Sequence, residues 1–343
     1  MYMIRAIRQD DLQGLYDLAS KSKWGLTTLP ADIPVLTAKI KKSEQSFAGT
    51  LDDPEPFFLM VLENTDTGEV MGSTAIFGRV GLNQPFYNYK LLKITQTSPN
   101  PPMRVETDLL TMANDYSDTT ELGTLFLHPE MRGKGPFGRF LSKVRFMLIA
   151  QRPEVFAEII IAELRGYVDD NGRSPFWDAL GRHFFQMEFL DADRINGMGN
   201  NQFINDLMPK HPIYTNLLPE EARANIGRPH DNSVAAMRLL MSEGFRFRGA
   251  VDIFDSGPLI EARRDDIYAV RTAKTQKLVG VTEHHDDATL RMVCNRYFAR
   301  FRAVLSVVEE TNDGVRLPQE TIDALDLSMG DEVLHSGMEG KKE

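Results

Sequence analysis

The sequence predicts an α/β (α+β) fold in which a mixed central sheet is flanked by helices and followed by a small β-barrel-like C-terminal domain. Three observations support this prediction. Strand-like and helix-like apolar patterns alternate over residues 1–263. A buried strand, a glycine-rich loop and an apolar helix follow one another over 121–149. From residue 264 the chain changes to short, β-branched segments separated by turns, so we place a domain boundary between residues 263 and 264.

The first 118 residues contain two predicted helices and a predicted hairpin. MIRAIRQDDLQGLYDLA predicts a strand at 4–6 and then a helix with leucines at positions 12, 15 and 18. A second helix is predicted at 33–47. The stretch ENTDTGE suits a tight turn between strands at 57–62 and 69–77. Residues 81–118, rich in Asn, Pro, Tyr and Ser, are expected to be irregular or only weakly stranded.

The stretch ELGTLFLHPEMRGKGPFGRFL at 121–141 carries the strongest chemical signal. An apolar run at 122–127 predicts a buried strand, and three glycines lie within the six residues 133–138. Apolar residues then recur with helical spacing, and FAEIIIAEL at 156–164 predicts another buried strand. A glycine loop between a strand and a helix N-terminus allows backbone N–H groups to approach a phosphate.

Composition and charge exclude several functional classes. The formal net charge is −10 and no basic cluster precedes the last residues, which argues against nucleic-acid binding. No apolar run is long enough for a membrane span, and the charged N-terminus does not resemble a signal peptide. The single cysteine, Cys294, is expected to be a buried apolar residue, and its isolation indicates a reducing compartment. We therefore expect a cytoplasmic protein without membrane contact.

The glycine loop has three possible interpretations. Gly133, Gly135 and Gly138 satisfy the dinucleotide pattern G-x-G-x-x-G, but no second βαβ unit and no acidic residue about 20 positions later support it. A P-loop is excluded because no Gly-Lys-Ser/Thr follows. With Arg132 included, the loop suits an acyl-CoA pyrophosphate, and the remaining alternative is an ordinary turn.

Several segments resemble known N-acyltransferases. RGKGPFG resembles the R/Q-x-x-G-x-G/A loop of the GNAT superfamily, with Phe137 at the last position and Gly138 one residue late. NSVAAMRLLMSEGFRFRG at 232–249 resembles the closing signature of that superfamily. GLTTLP, GLNQPFYNY, ELGTLFLHPEMR, SPFWDALGRHFF, LMPKHPIYTNLL, GRPH and VDIFDSGP resemble, more specifically, the arginine N-succinyltransferases. The resemblance covers residues 1–263 and weakens beyond them.

The resemblance implies transfer of a succinyl group from succinyl-CoA, as a co-substrate, to the α-amino group of L-arginine, the first step of arginine catabolism by this route. It implies a GNAT-like core and no permanently bound cofactor or metal. His230 in GRPH would be the proton donor, and the alternative for it is a histidine that caps the following helix. Leu125 would contact succinyl-CoA, and Arg132, Gly133, Lys134 and Gly135 would hold its pyrophosphate.

The two substrates also require charged partners. A guanidinium group is best bound by carboxylates, and Glu163, Asp252 and Asp255 are the candidates, although each suits a solvated strand end equally well. Arg165 and Lys210 are candidates for the succinyl carboxylate, and the sequence does not rank them. His183 is expected to lie in the core. His284 and His285 beside Asp286 and Asp287 resemble a metal cluster, but a solvated turn is favoured.

Two other functions fit the same sequence. A GNAT acetyltransferase acting on another amine would have the same loop and fold. The C-terminal stretch LPQETIDALDLSMGDEV also resembles a swapped-hairpin barrel of DNA-binding regulators, so a non-catalytic CoA-binding or regulatory subunit is the second alternative. For assembly we expect a homo-oligomer, specifically a dimer.

Overall fold

The computed structural model describes residues 1–22, 28–197, 202–283 and 289–340. Sixteen strands in the described part of the chain form one mixed sheet in the order β14-β15-β11-β16-β12-β13-β1-β2-β3-β6-β7-β10-β9-β4-β5-β8. The strands are β1 Tyr2–Ala6, β2 Phe57–Asn64, β3 Val70–Val80, β4 Asn88–Pro99, β5 Pro102–Ala113, β6 Thr119–Leu127, β7 Ile159–Glu163, β8 Ile213–Tyr214, β9 Arg246–Val251, β10 Pro258–Arg263, β11 Lys274–Val281, β12 Arg291–Asn295, β13 Arg302–Ser306, β14 Glu309–Glu310, β15 Val315–Leu317 and β16 Glu332–Gly337.

Eleven α-helices of the described residues flank this sheet. They are α1 Leu12–Ser20, α2 Ile33–Ala48, α3 Phe137–Gln151, α4 Pro175–Ala179, α5 Gly181–Phe185, α6 Phe189–Gly197, α7 Gln202–Leu207, α8 Glu220–Asn225, α9 Val234–Ser242, α10 Tyr268–Thr272 and α11 Gln319–Leu325. The predicted fold class, a mixed sheet flanked by helices, is confirmed.

Apolar packing divides the helices between the faces of the sheet. α3 is buried along almost its whole length against the sheet, with α9 and α10 beside it. α1 and α2 cover the other face through Leu15, Leu36 and Ile40. The short helices between 175 and 225 pack around Trp177 over β4 and β9. His183, expected in the core, is exposed, because the Trp177 side of α4 and α5 faces inward instead.

The hairpin β2–β3 and the succession β6–loop–α3 agree with the sequence prediction. The expectation for residues 81–118 was wrong, because β4 and β5 form one long antiparallel hairpin paired from Asn88–Ala113 to Pro99–Pro102. Its outer part, residues 92–106, pairs only with itself among the described strands, and we call it the arm. The arm lacks a buried face, so its strands show no clear apolar alternation.

The C-terminal part is β-rich, as predicted. Its strand β13 pairs with β1, so the strands from 274 onward extend the same sheet, and no ladder among the described residues closes them into a cylinder. Cys294 is fully buried on β12, as expected. The boundary at 263/264 stays a prediction. Within the described residues no helix is long and apolar enough to cross a membrane.

Candidate active site

The sheet opens between two parallel strands. β6 and β7 are paired only at Thr120–Ile160 and Glu121–Ile161, although β6 continues to Leu127. Beyond that point β6 stays paired with β3 on its other side, so the two parallel strands separate. The gap exposes backbone edges of both strands, and an extended chain carrying amide groups can be hydrogen-bonded there.

A bulge marks β6 within this gap. The register between β3 and β6 shifts between Ser73 and Ala75, and Thr124 opposite them has a positive φ of 55°. The Ser73 hydroxyl donates to the Thr124 carbonyl at 3.0 Å and holds the bulge in place. A bulge leaves the backbone groups of its extra residue outside the ladder. Leu125 follows directly, with its side chain packed on the α3 side of the sheet.

The glycine loop closes one end of the gap. Residues 132–136 are exposed between β6 and the start of α3, and Gly133 has a φ of 77°, which favours glycine. Pro136 precedes α3 and gives no side-chain cap, so the first N–H groups of a fifteen-residue helix remain available. The Arg132 guanidinium lies 5.6 Å from the centre of the Phe126 ring. This arrangement is suited to a phosphate group.

His230 lies beside the end of β7. Its backbone N–H donates to the Arg165 carbonyl at 2.8 Å, and Gly166 forms a bridge with Pro229. Its Nδ1 accepts from the Asn232 N–H at 3.1 Å and caps a short 3-10 turn, Asp231–Ser233, that leads into α9. The neutral ring therefore carries its proton on Nε2. Burial and then Arg165 lower the pKa of His230, which keeps the ring neutral at pH 7.

Both interpretations of His230 are thus compatible, because one nitrogen caps the turn while the other stays available. Among the described residues nothing is hydrogen-bonded to Nε2. Capping fixes the tautomer and the ring orientation, so the Nε2–H is held as a hydrogen-bond donor.

The three predicted guanidinium ligands, Glu163, Asp252 and Asp255, lie close together beside the end of β7. We call them the carboxyl cluster, and we call this side of the gap the acceptor side. Burial first, and then the neighbouring carboxyls, raise the pKa of Glu163 well above its ordinary range. Burial and then Asp252 do the same to Asp255, and burial raises the pKa of Asp252. Among the described residues no cation is hydrogen-bonded to these three carboxyls, so a bound guanidinium would relieve their mutual repulsion.

The three carboxyls have different local duties. Asp255 accepts the N–H groups of Gly166 and Gly257, each at 2.8 Å, and is buried. One oxygen of Asp252 accepts the N–H groups of the two residues Phe254 and Asp255 at 2.7 Å. Glu163 forms no side-chain hydrogen bond with any described residue. Glu163 is therefore the carboxyl most available to a ligand.

Sequence reasoning missed three further charged groups. Burial raises the pKa of Glu121 on β6 to about 7 and that of Asp193 on α6 to about 7. Burial lowers the pKa of Lys39 on α2 to about 8, and Lys39 lies over the rings of Phe57 and Phe77 while attracted by Glu121. A charged residue inside an apolar strand, as in ELGTLFL, was the available signal for Glu121.

Other features of the described residues carry no comparable chemistry. A groove of about 330 Å³ between β1 and β13 is lined by several arginines, but Arg5 there is fully paired with Asp11 and Glu63. No three His, Cys, Asp or Glu side chains in the described ranges are grouped to hold a metal ion. His284 and His285 lie outside those ranges.

Comparison with known proteins identifies the family. The family model "Arginine N-succinyltransferase beta subunit" matches residues 2–269, and the model of its C-terminal domain matches 272–337. Arginine N-succinyltransferases of Yersinia pseudotuberculosis serotype O:3 (strain YPIII) and Escherichia coli (strain 55989 / EAEC) are 40% and 39% identical over 339 and 333 residues. The matches cover 97% of this chain in both cases, and 97% and 96% of the relatives.

A solved structure supports the same assignment. Arginine/ornithine succinyltransferase subunit AI from Pseudomonas aeruginosa matches with a TM-score of 0.88 at 28% identity, covering 98% of this chain and 99% of the other. The resemblance found in the sequence is confirmed. This chain belongs to the arginine N-succinyltransferase family.

Proposed function

We propose that this protein transfers a succinyl group from succinyl-CoA to the α-amino group of L-arginine. One observation carries the proposal: the gap between β6 and β7 has an anion-binding loop at one end and a crowded carboxyl cluster on its acceptor side. An anionic acyl carrier and a cationic acceptor are the ligands that suit these two ends. Family membership supports the same pair of substrates.

Succinyl-CoA would bind along the loop and into the gap. The pyrophosphate would take the backbone N–H groups of Gly133, Gly135 and the first turn of α3, with Arg132 and Lys134 as exposed cations, since the Lys134 N–H already donates to the Met131 carbonyl. The pantetheine amides would pair with backbone groups near Leu125, since the bulge at Thr124 frees them from the ladder. The thioester would then lie where β6 and β7 separate.

L-Arginine would enter from the carboxyl cluster. Its guanidinium would pair with Glu163, whose oxygens have no protein hydrogen bond among the described residues. Asp252, with one oxygen held by two backbone N–H groups, would contribute its other oxygen. Asp255 would act mainly through charge, because both of its oxygens already accept backbone N–H groups.

The reaction needs a neutral amine and a protonated leaving group. The amine lone pair attacks the thioester carbonyl, the C–S bond breaks, and the amine loses a proton to a carboxylate or to water. His230 was expected to donate that proton, but its neutral ring cannot give up Nε2–H to a thiolate, so in this proposal the Nε2–H donates a hydrogen bond to the departing sulfur. The sulfur takes its proton from water, which balances the proton that the amine releases. The products are N2-succinylarginine and CoA, and no covalent enzyme intermediate is needed.

Thiol release tests the proposal directly. Purified protein is mixed with succinyl-CoA or acetyl-CoA, each with L-arginine, L-ornithine, L-lysine and spermidine, and free CoA is measured with a thiol reagent. We expect release with succinyl-CoA and arginine to exceed that of every acetyl-CoA pair. Preference for acetyl-CoA would refute the acyl assignment, and no release with any pair would favour a non-catalytic subunit.

We also propose that the protein works in a reducing compartment such as the cytoplasm, with which its single buried cysteine is compatible.

For assembly we propose a homodimer that pairs through the arm. Leu92, Met103 and Val105 share one face of the arm and are 50%, 56% and 39% exposed. If β5 paired with its own copy about Val105, Arg104 would lie opposite Glu106, which makes this edge self-complementary.

Sedimentation of the wild type and of Val105→Lys tests the dimer. We expect a dimer for the wild type and a monomer for the variant, because two lysines would meet at the twofold axis. A variant that stays dimeric would exclude the arm as the interface.

A further inference from the structure

We propose that Arg165 binds a carboxylate of one of the two substrates, the succinyl or the arginine carboxylate, next to His230. This inference rests on the proposed function and adds a specificity-determining residue to it. Arg165 follows β7 directly, two residues after Glu163, at the point where the gap meets the loop that carries His230.

The backbone at Arg165 is fixed from two sides. Its carbonyl accepts the His230 N–H at 2.8 Å, and the next residue, Gly166, donates its N–H to Asp255 at 2.8 Å. A Cβ added to Gly166 would lie 2.3 Å from the Asp255 carbonyl oxygen, so the two segments are in close contact. The base of the Arg165 side chain is thus held relative to both His230 and the carboxyl cluster.

The guanidinium itself has no partner among the described residues. It forms no hydrogen bond there and no ion pair within 4 Å, and its Nε is fully buried without an acceptor. Arg5, a buried arginine elsewhere in the described residues, is fully paired and binds both oxygens of Asp11 and also Glu63. A buried N–H donor without a protein acceptor is uncommon in native proteins, and such a donor is normally satisfied by a ligand or an ordered water molecule.

The neighbouring acids do not supply that acceptor. Asp255 and Asp193 attract Arg165 at longer range, but burial outweighs them and lowers the pKa of the guanidinium. Both Asp255 oxygens are occupied by backbone N–H groups. Asp193, which carries a raised pKa, lies beyond 4 Å. The outer nitrogens, which are unpaired among the described residues and are not fully buried, therefore remain available to a carboxylate.

The reaction brings two carboxylates to this region. The succinyl group ends in one and L-arginine carries another, and the carboxyl cluster repels both. Lys39 is a second cation near the gap, but it is already attracted by Glu121 and lies over two aromatic rings. Arg165 is therefore the better candidate, since it lies beside His230. A carboxylate held by Arg165 would sit on the His230 side of the gap.

Two substrate comparisons show whether Arg165 binds the succinyl carboxylate or the arginine carboxylate. Succinyl-CoA is compared with butyryl-CoA, which replaces the carboxylate by a methyl group, and L-arginine is compared with L-argininamide. For each pair the ratio of kcat/KM values is measured in the wild type, in Arg165→Met and in Arg165→Lys. Arg228→Met is the matched control, since Arg228 also lies close to His230 but is half exposed and paired with Asp231.

We expect Arg165→Met to lower kcat/KM for the natural pair about 100-fold. One of the two ratios should also collapse toward unity: the acyl ratio if Arg165 binds succinyl, the amino-acid ratio if it binds arginine. Arg165→Lys should restore part of that ratio, and Arg228→Met should change neither.

Two ratios that stay at their wild-type values in Arg165→Met would overturn the inference, even if overall activity falls. If Arg165→Met does not fold, unchanged ratios in Arg165→Gln, whose side chain is polar but uncharged, have the same meaning. A wild type inactive with succinyl-CoA and arginine would instead refute the proposed function, so the two failures are distinguishable.

Discussion

Glu163→Gln should weaken arginine binding and at the same time stabilise the free protein. Glu163 ends β7 inside the carboxyl cluster, and burial and the neighbouring acids Asp252, Glu121 and Asp255 raise its pKa. Glutamine keeps the size and shape of the side chain but removes the charge. If Glu163 is retained for binding a cation at a cost to folding, removing its charge should lower the affinity for arginine and raise the free energy of unfolding.

The loss in binding follows from the pairing of charges. Truncating one partner of a desolvated, hydrogen-bonded charge pair costs about 2–5 kcal/mol, and Asp252 remains to attract the guanidinium. We therefore expect the lower end, about 2 kcal/mol, which is about a 30-fold lower kcat/KM for arginine with little change for succinyl-CoA.

The gain in stability has a defined pH dependence. Because the folded pKa of Glu163 is raised, ionisation of this group destabilises the folded state at every pH above its ordinary value. The cost grows by about 1.4 kcal/mol per pH unit up to the folded pKa, reduced where solvent reaches the carboxyl. Glu163→Gln should therefore match the wild type near pH 5 and become more stable than it toward pH 8.

Thermal unfolding from pH 5 to 8 and thiol-release kinetics at pH 7.5 measure the two effects. Glu158→Gln is the matched control, since Glu158 lies just before β7 but is exposed and paired with Arg263. We expect this control to change neither property beyond a small surface effect. An unchanged kcat/KM for arginine in Glu163→Gln, or a variant less stable than the wild type at pH 8, would refute the reasoning.

Three further predictions concern the loop, the histidine and pH. Gly135→Val should raise the CoA dissociation constant at least 10-fold in calorimetry, because the added Cβ would lie 2.9 Å from the Phe137 ring and block backbone approach; unchanged affinity would make the loop a simple turn. His230→Ala and His230→Asn should both lower kcat about 100-fold, because both lack the Nε2–H that hydrogen-bonds to the departing sulfur. Only Ala should lower the melting temperature, because Asn can still accept the Asn232 N–H, and full activity in His230→Asn would remove the Nε2–H from the mechanism. The KM for arginine should rise as pH falls through about 7, where the raised pKa of Asp193 makes its carboxyl neutral, and Asp193→Asn should flatten this rise; a KM constant from pH 6 to 8 in the wild type would contradict it.

Elements with at least one buried face could be predicted from the sequence, and the arm could not. β2 and β3 carry continuous apolar runs around a turn with Gly68 at a positive φ, so length and turn chemistry defined them. The arm is exposed on both faces beyond Leu91, and its alternate residues are mostly Thr, Lys, Gln and Ser. Without a core to pack against, nothing in its composition separates a long ribbon from a loop.

Some residues of the site could likewise be predicted from the sequence, and others could not. Glu163, Asp252 and Asp255 could be proposed because a guanidinium substrate requires carboxylates near strand ends. The pairing of Glu121 with Lys39 could not, since it depends on how α2, which packs on β2, lies relative to β6, more than 80 residues later in the chain. Single-residue reasoning also treated the three carboxyls as equivalent, whereas backbone hydrogen bonds give Asp255 a structural duty.

The backbone hydrogen bonds of Asp255 connect the carboxyl cluster to the segment that carries His230. Asp255 in the carboxyl cluster accepts the Gly166 N–H, and the adjoining Arg165 carbonyl accepts the N–H of His230. The carboxyl cluster and His230 are thus two hydrogen bonds apart along one fixed stretch of backbone. The position of His230 relative to the amine is therefore set by the folded backbone and by Asp255, and not by α9 alone, since α9 reaches His230 only through its capped turn.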